Sequence, residues 1–280
     1  PGTVHAVYTI DPSICLGGHI YPSSTLTHTL IAHIRSFILA GYITNTEVVL
    51  RRDIHHRMMA FIYHTMVEGR IVQASKVRAH IPIITDFRSV TNILCGCALA
   101  IFANALSTES YCYPQSQEGD GDDDELRQYR YLQWDLNDLS ALERRRCIHG
   151  RSLAWKTIFW LKSRYTFHGN TRTVEVPENE DSAETKLDFY DDIVVPFLGH
   201  LSLSILDYRT KACKKSVESA KAIRKKFLKT QLMGCFHNNP EIVVWTETHQ
   251  GDSRESLLYP FDTDIEVHVR EAPEDIESGA

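Results

Sequence analysis

Residues 85–106 decide the fold class, and they read T-D-F-R-S-V-T-N-I-L-C-G-C-A-L-A-I-F-A-N-A-L. Their apolar side chains recur at the spacing of an α-helix. The most apolar part, Ile93 to Leu106, is interrupted only by Gly96 and Asn104 and is shorter than the roughly 20 helical residues that cross a bilayer. We therefore predict a buried core helix here and a mainly α fold around it.

Outward from this core helix, most of the chain keeps the same helical spacing of apolar residues. Gly41 should end the first helix, and Pro196 should kink or divide a later one. We expect a short strand or extended segment over residues 241–248, E-I-V-V-W-T-E-T. We place helices over residues 25–40, 45–68, 187–208 and 210–233, and two more within 126–167 that break near Gly150.

Composition divides the chain into five segments. Residues 1–21 are rich in β-forming residues, but two short strands are not stable alone. Residues 114–125, P-Q-S-Q-E-G-D-G-D-D-D-E, contain no apolar side chain, and residues 271–280 are acidic. We predict a disordered loop and a frayed tail for these two, because they gain too little burial to offset the entropy of ordering. Two helical regions, 22–113 and 126–270, complete the division.

Charge and cysteine content narrow the class of protein. The net charge of the 280 residues is −6, which gives no general attraction to nucleic acid or to a membrane surface. The seven cysteines form no C-x-x-C pair, and no secretory signal is visible. Cys95 and Cys97 are expected to be small core residues, since residues two apart on a helix face different sides. We predict an intracellular protein of the nucleus or cytoplasm with reduced thiols.

The N-terminal segment carries the most specific pattern, P-G-T-V-H-A-V-Y-T-I-D-P-S-I-C-L-G-G-H-I-Y. It resembles the end of a JmjC domain, a cupin-like double-stranded β-helix that binds iron(II) and 2-oxoglutarate. The resemblance implies that His5 is the distal histidine of the iron-binding triad, in which two histidines and one carboxylate hold one face of the metal. It also implies that residues 1–21 are a β remnant of that barrel. The matching residues are Pro1, Gly2, His5, Ala6, Val7, Tyr8, Thr9, Ser13, Gly17 and Gly18.

The rest of the triad is missing from this sequence. The family's other two ligands form an H-x-D or H-x-E motif upstream of the distal histidine, and none of the 14 histidines here is followed two places later by Asp or Glu. The resemblance covers only about the first 21 to 35 residues. We therefore expect that another segment precedes Pro1, that iron(II) and 2-oxoglutarate bind only in a longer chain, and that this chain alone is inactive. A strand histidine that only forms hydrogen bonds is the alternative for His5.

Two other groups of residues have the composition of a possible metal or anion site. The spacings of the histidines between residues 19 and 64 do not match a chelating helical pair, so we interpret them as partly exposed helix histidines. These are His19, His28, His33, His55, His56 and His64. The basic run from Lys211 to Lys229 is interpreted as the solvated face of an amphipathic helix.

Two function hypotheses remain. The first is a piece of a JmjC-like oxygenase, acting on a protein as a hydroxylase or demethylase. The second is a noncatalytic helical module that binds a protein partner. An upstream H-x-D motif in a longer protein would distinguish them.

Overall fold

The computed structural model describes residues 22–39, 51–70, 80–106, 140–169, 185–212, 233–236, 238–249 and 265–270. The predicted mainly α fold is confirmed, since 73% of the described residues are helical and a small three-stranded sheet accompanies them. The helices are α1 (Leu26–Leu39), α2 (Arg51–Ile62), α3 (Phe87–Ile101), α4 (Ala141–Arg164), α5 (Val195–Ala212) and α6 (Pro240–Thr248). The strands are β1 (Tyr165–Gly169), β2 (Thr185–Leu187) and β3 (Glu266–Val269).

Helix α3 is the core helix that its sequence predicts. It packs against α1, α2 and α4, and its residues from Ile93 to Ile101 are all buried. Its first turn is capped by Asp86, whose Oδ1 accepts hydrogen bonds from the Ser89 backbone N at 2.8 Å and from its hydroxyl at 2.7 Å. These bonds from Ser89 lower the pKa of the Asp86 carboxyl. The segment from Ile93 to Ile101 has apolar or small side chains on all sides, and this places the second half of α3 in the middle of the helices.

Helices α5 and α6 form a second packed pair. A π-helical turn, Phe189–Val194, leads directly into α5, and Pro196, which has no backbone N–H to donate, lies where the π-helix changes to an α-helix. The indole of Trp245 on α6 lies directly over Gly199 on α5, so that any side chain at Gly199 would clash with it. The Tyr190 hydroxyl donates a hydrogen bond to Asn239 Oδ1 at 2.6 Å, which ties the start of α6 to the π-helical turn.

The sheet is antiparallel in the order β2-β1-β3. Phe167 pairs with Leu187 on one side and Val267 on the other. The Phe167 ring is stacked on Phe189, with ring centroids 4.5 Å apart, and also meets Phe87 of α3. The sheet is therefore anchored to the helical core through β1.

Several predictions about elements were wrong. Residues 240–248 form a helix rather than a strand, because Pro240 occupies the first turn of α6 and the apolar side of that helix packs on α5. Helix α4 runs through Gly150 without a break. Gly150 lies where α2 and α3 approach α4 closely, so the glycine serves packing rather than the end of a helix. The three strands, Tyr165–Gly169, Thr185–Leu187 and Glu266–Val269, lie in ranges for which the sequence had predicted no strand.

Other predictions fall on residues that the structure does not describe. These are the β remnant at 1–21, the acidic loop at 114–125, the tail at 271–280 and nearly all of the basic run from Lys211 to Lys229. The division into 22–113 and 126–270 also stays a prediction. Within the described residues, the helical stretch Phe189–Asp207 is long and apolar enough to cross a membrane by composition, but 72% of it is buried inside the protein, as in a core helix.

Candidate functional site

A cavity of about 110 Å³ lies where α1, α2, α3 and α4 meet. Its wall on the α3 side is apolar, whereas the other helices contribute imidazole, carboxylate, guanidinium and thiol groups. Such polar groups on facing helices are the usual material of sites in helical proteins. The lining residues are His33, Asp53, His55, His56, Leu99, Ala100, Ala103, Glu143, Arg146, Cys147 and Gly150.

Two polar contacts bridge α2 and α4 beside this cavity. Asp53 and His56 are three residues apart on α2, and Arg146 and His149 are three residues apart on α4, so each pair shares one helix face. Arg146 Nη1 forms an ion pair with Asp53 Oδ1, and His56 Nε2 lies 2.9 Å from His149 Nδ1. We refer to these four side chains as the α2–α4 ladder.

The second histidine pair of the cavity joins α1 and α2. The His33 and His55 rings meet edge to face, with centroids 5.3 Å apart and an interplanar angle of 86°. His55 is buried, with only 7% of its surface exposed. The cavity therefore has imidazole rings on two of its sides.

The electrostatics of the ladder favour a neutral His56. Removal from water is the largest cause that lowers the pKa of His56, followed by the neighbouring His149, Arg146 and Arg57, while Asp53 opposes them.

Glu143, another residue that lines the cavity, also caps the start of α4. Its Oε2 accepts a hydrogen bond from the Ser140 hydroxyl at 2.6 Å.

Gly150 explains how α2 and α4 come so close. A Cβ atom at Gly150 would lie 3.3 Å from His56 Cδ2 and 3.9 Å from the Cβ of Ala100. The glycine thus leaves room for the imidazole ring, although it costs about 1 kcal/mol of helix propensity relative to alanine. This close approach is the physical role of the glycine that the sequence had suggested as a helix break.

The structure places the predicted histidines in different environments. His28 is exposed on α1, and His64 bonds through Nδ1 to Glu68 Oε2 at 2.8 Å. The prediction of partial exposure is wrong for His55, which faces the core side of α2. His5 and His19 lie outside the described residues. Among the residues that the structure describes, no group of three or more His, Cys, Asp or Glu side chains is placed to hold a metal ion.

Sequence reasoning missed the ladder. Asp53, Arg146 and His149 were not singled out, although the D-x-x-H pattern of α2 and the R-x-x-H pattern of α4 each put two polar groups on one helix face. Only the pairing of α2 with α4 brings these patterns together, and that pairing joins residues 93 apart in the chain.

Comparison with known proteins gives no relative: no family model, no curated protein and no solved structure matches the chain.

Proposed function

We propose that the chain is the C-terminal part of a JmjC-like iron(II)/2-oxoglutarate oxygenase that acts on a protein, with His5 as the distal iron ligand. The observation that carries this proposal is the pattern P-G-T-V-H-A-V-Y-T followed by the Gly17-Gly18 pair. A histidine within a β-rich segment, flanked by small and apolar residues, suits a metal ligand on a packed barrel strand. The glycine pair suits a close backbone approach or a bend.

The described helices are compatible with a role as an appendage to such a barrel. The first described helical turn, Ser23–Thr25, begins directly after the JmjC-like segment, and α1 continues from it. Helix α1 then packs on α3, which is buried on nearly all sides. A barrel ending near Tyr21 would therefore be followed at once by a firmly packed helix.

The residues present do not by themselves fit an iron site. His5 provides one bond, and a site of this class requires three protein ligands and their supporting hydrogen bonds. The described residues add no group of three metal-binding side chains. In this proposal the remaining two ligands and the 2-oxoglutarate site belong to a segment upstream of residue 1 in a longer chain.

The cellular location in this proposal is the nucleus or cytoplasm. Cys95, Cys97 and Cys235 are buried free thiols. Burial raises the pKa of the Cys95 thiol to about 12, which keeps it protonated and unreactive. Buried reduced thiols are usual in intracellular proteins and support this location.

Iron(II) affinity tests the proposal. Anaerobic titration would compare this chain with a longer chain that restores the upstream segment, each with and without His5→Ala. We expect tight binding only in the longer chain, and we expect His5→Ala to abolish it. His19→Ala is the matched control, because His19 lies in the same segment outside the motif positions, and it should bind iron as the unchanged protein does. An upstream segment without H-x-D or H-x-E, or equal iron affinity with and without His5→Ala, would refute the proposal.

A noncatalytic helical module that binds a protein partner is the second candidate function. It is favoured by one observation: the described helices bury a continuous apolar core of their own, from Leu26 to Val243. A region with its own core has the basis to fold without a barrel. Residues 22–270 expressed alone would then unfold cooperatively and still bind the partner, whereas an oxygenase appendage would lose its function when separated from the barrel.

A further inference from the structure

Two of the four side chains that join α2 to α4 in the ladder are imidazoles, the type of side chain whose charge changes near neutral pH. One of its two contacts joins His56 to His149, and in this contact one ring nitrogen donates a hydrogen bond that the other accepts. Such a bond needs a neutral acceptor, so it survives when the pair carries no proton or one extra proton, and it is lost when both rings are protonated. We propose that the His56–His149 contact is a pH-sensitive latch that keeps α2 against α4 near neutral pH and releases it in acid.

The charges that face the latch decide the sign of the response. On α4 the neighbours are Glu143, Arg146 and Cys147, and on α1 the facing titratable group is His33. On α3 and in the turn that follows it the facing residues are Leu99, Ala100 and Ala103, none of which titrates. On α2 itself they are Asp53, His55 and Arg57.

Protonation of the histidines makes the charges around the His56–His149 contact less favourable. Near neutral pH the fixed charges at the cavity are Asp53 and Glu143 against Arg146, and protonation of the histidines adds positive charge beside that arginine. Two imidazolium rings whose nitrogens lie 2.9 Å apart would also repel each other directly. Protonation of both rings therefore weakens the His56–His149 contact.

Linkage gives the pH range of the release. Because burial and the neighbouring cations lower the pKa of His56 in the folded protein, the unfolded chain takes up more protons than the folded one below about pH 6.5. Stability is therefore lost as the pH falls through that range. A histidine held fully neutral in the folded protein would reduce the folded-to-unfolded ratio by about tenfold near pH 5.5, which is the upper limit. Because His149 is exposed and solvent screens the contact, we expect a fall of about twofold or more that stays below this limit.

Urea unfolding followed by tryptophan fluorescence at about pH 7.5, 6.5 and 5.5 tests the latch. We expect the folded-to-unfolded ratio of the unchanged chain to fall by this factor, and the fall to shrink in His56→Gln and in His149→Gln. His28→Gln, at an exposed position on α1, is the matched control and should keep the full pH dependence. An equal pH dependence in all four proteins would overturn the proposal.

Amide exchange in the unchanged chain tests the same latch without any variant. After correction for the intrinsic effect of pH, amides of α2 should lose protection between about pH 7.5 and 5.5, while those of α3 should keep theirs. Equal loss in both helices, or no loss in α2, would contradict a latch at His56 and His149.

Discussion

In two helix contacts of this protein, a glycine leaves room for a side chain of the neighbouring helix. That side chain is aliphatic in one contact and an imidazole in the other. At the α1–α3 contact, Gly96 leaves room for Leu26, whose Cδ1 would lie 3.1 Å from a Cβ at that position. At the α2–α4 contact, Gly150 leaves room for the His56 ring, which would lie 3.3 Å away. The first contact is aliphatic and supported by neutral hydrogen bonds, such as that from Thr27 Oγ1 to Asn92 Oδ1 at 2.7 Å.

The α1–α3 and α2–α4 contacts contribute to stability in different ways. Burial of aliphatic surface stabilises the α1–α3 contact in a way that depends little on pH or salt. Imidazole and ion-pair contacts stabilise less, and their strength changes with pH and ionic strength. The protein thus has a permanent contact at α1–α3 and a conditional one at α2–α4.

Truncation of the aliphatic contact should have the largest effect. Leu26→Ala removes a side chain that is 1% exposed, and we expect a loss of about 2–5 kcal/mol in the free energy of unfolding at any pH between 5.5 and 7.5. Leu142→Ala is the matched control, since Leu142 on α4 is 58% exposed and its loss should cost less than about 0.5 kcal/mol. Urea unfolding measures both. Equal costs at the two positions would mean that α1 does not pack on α3 as described.

A methyl group added at each glycine should separate the two contacts. At Gly96 it overpacks a buried contact, at a cost of about 1–3 kcal/mol against about 1 kcal/mol of gained helix propensity, so we expect Gly96→Ala to lose about 1 kcal/mol. At Gly150 the half-exposed His56 ring can move aside, so the change in stability should stay within about 0.5 kcal/mol. The His56–His149 contact should be weakened, and the pH dependence of unfolding should become shallower. Identical effects at both glycines would remove the distinction between the contacts.

The ion pair of the ladder should have the smallest effect on stability and a clear effect on titration. The Arg146 and Asp53 side chains are 37% and 28% exposed, so either Arg146→Gln or Asp53→Asn should cost about 0.5 kcal/mol. Arg146 lowers the pKa of His56 and Asp53 raises it. Arg146→Gln should therefore raise that pKa and reduce the stability lost in acid, while Asp53→Asn should do the opposite. Histidine proton resonances followed through a pH titration measure the shifts, and shifts of the same sign in both variants would contradict the arrangement.

The sequence predicted the elements whose pattern is local. The apolar run of α3 from Ile93 to Ile101 covers about two and a half turns, and α1 shows an apolar face, so their sequence patterns identified both. The segment of α6 was misread because V-V-W has high β propensity in a short run, whereas Pro240 in the first turn and the packing on Gly199 of α5 favour the helix. Strands of three to five residues carry too little pattern to be recognised, and β1 and β3 pair across about 100 residues of chain.

The candidate site shows the same limit. Helices α1, α2 and α3 of the cavity were predicted from their own residues, and α4 was predicted with a break near Gly150 that it does not have. The meeting of His56 with His149 depends on the pairing of α2 with α4. Gly150 was noticed in the sequence, and its meaning changed once a neighbouring helix was present. Reasoning from motifs instead proposed His5 as a metal ligand, and His5 lies outside the residues that the structure describes.

Turnover in a longer chain tests most directly whether the protein is part of a JmjC-like oxygenase with His5 as an iron ligand. The measurement is iron-dependent release of carbon dioxide from 2-oxoglutarate by a protein that joins the upstream segment to residues 1–280. The account predicts turnover in that protein, loss of turnover with His5→Ala, unchanged turnover with His19→Ala, and none in the 280-residue chain alone. Turnover that is unaffected by His5→Ala, or iron-dependent turnover by the 280-residue chain alone, would contradict it.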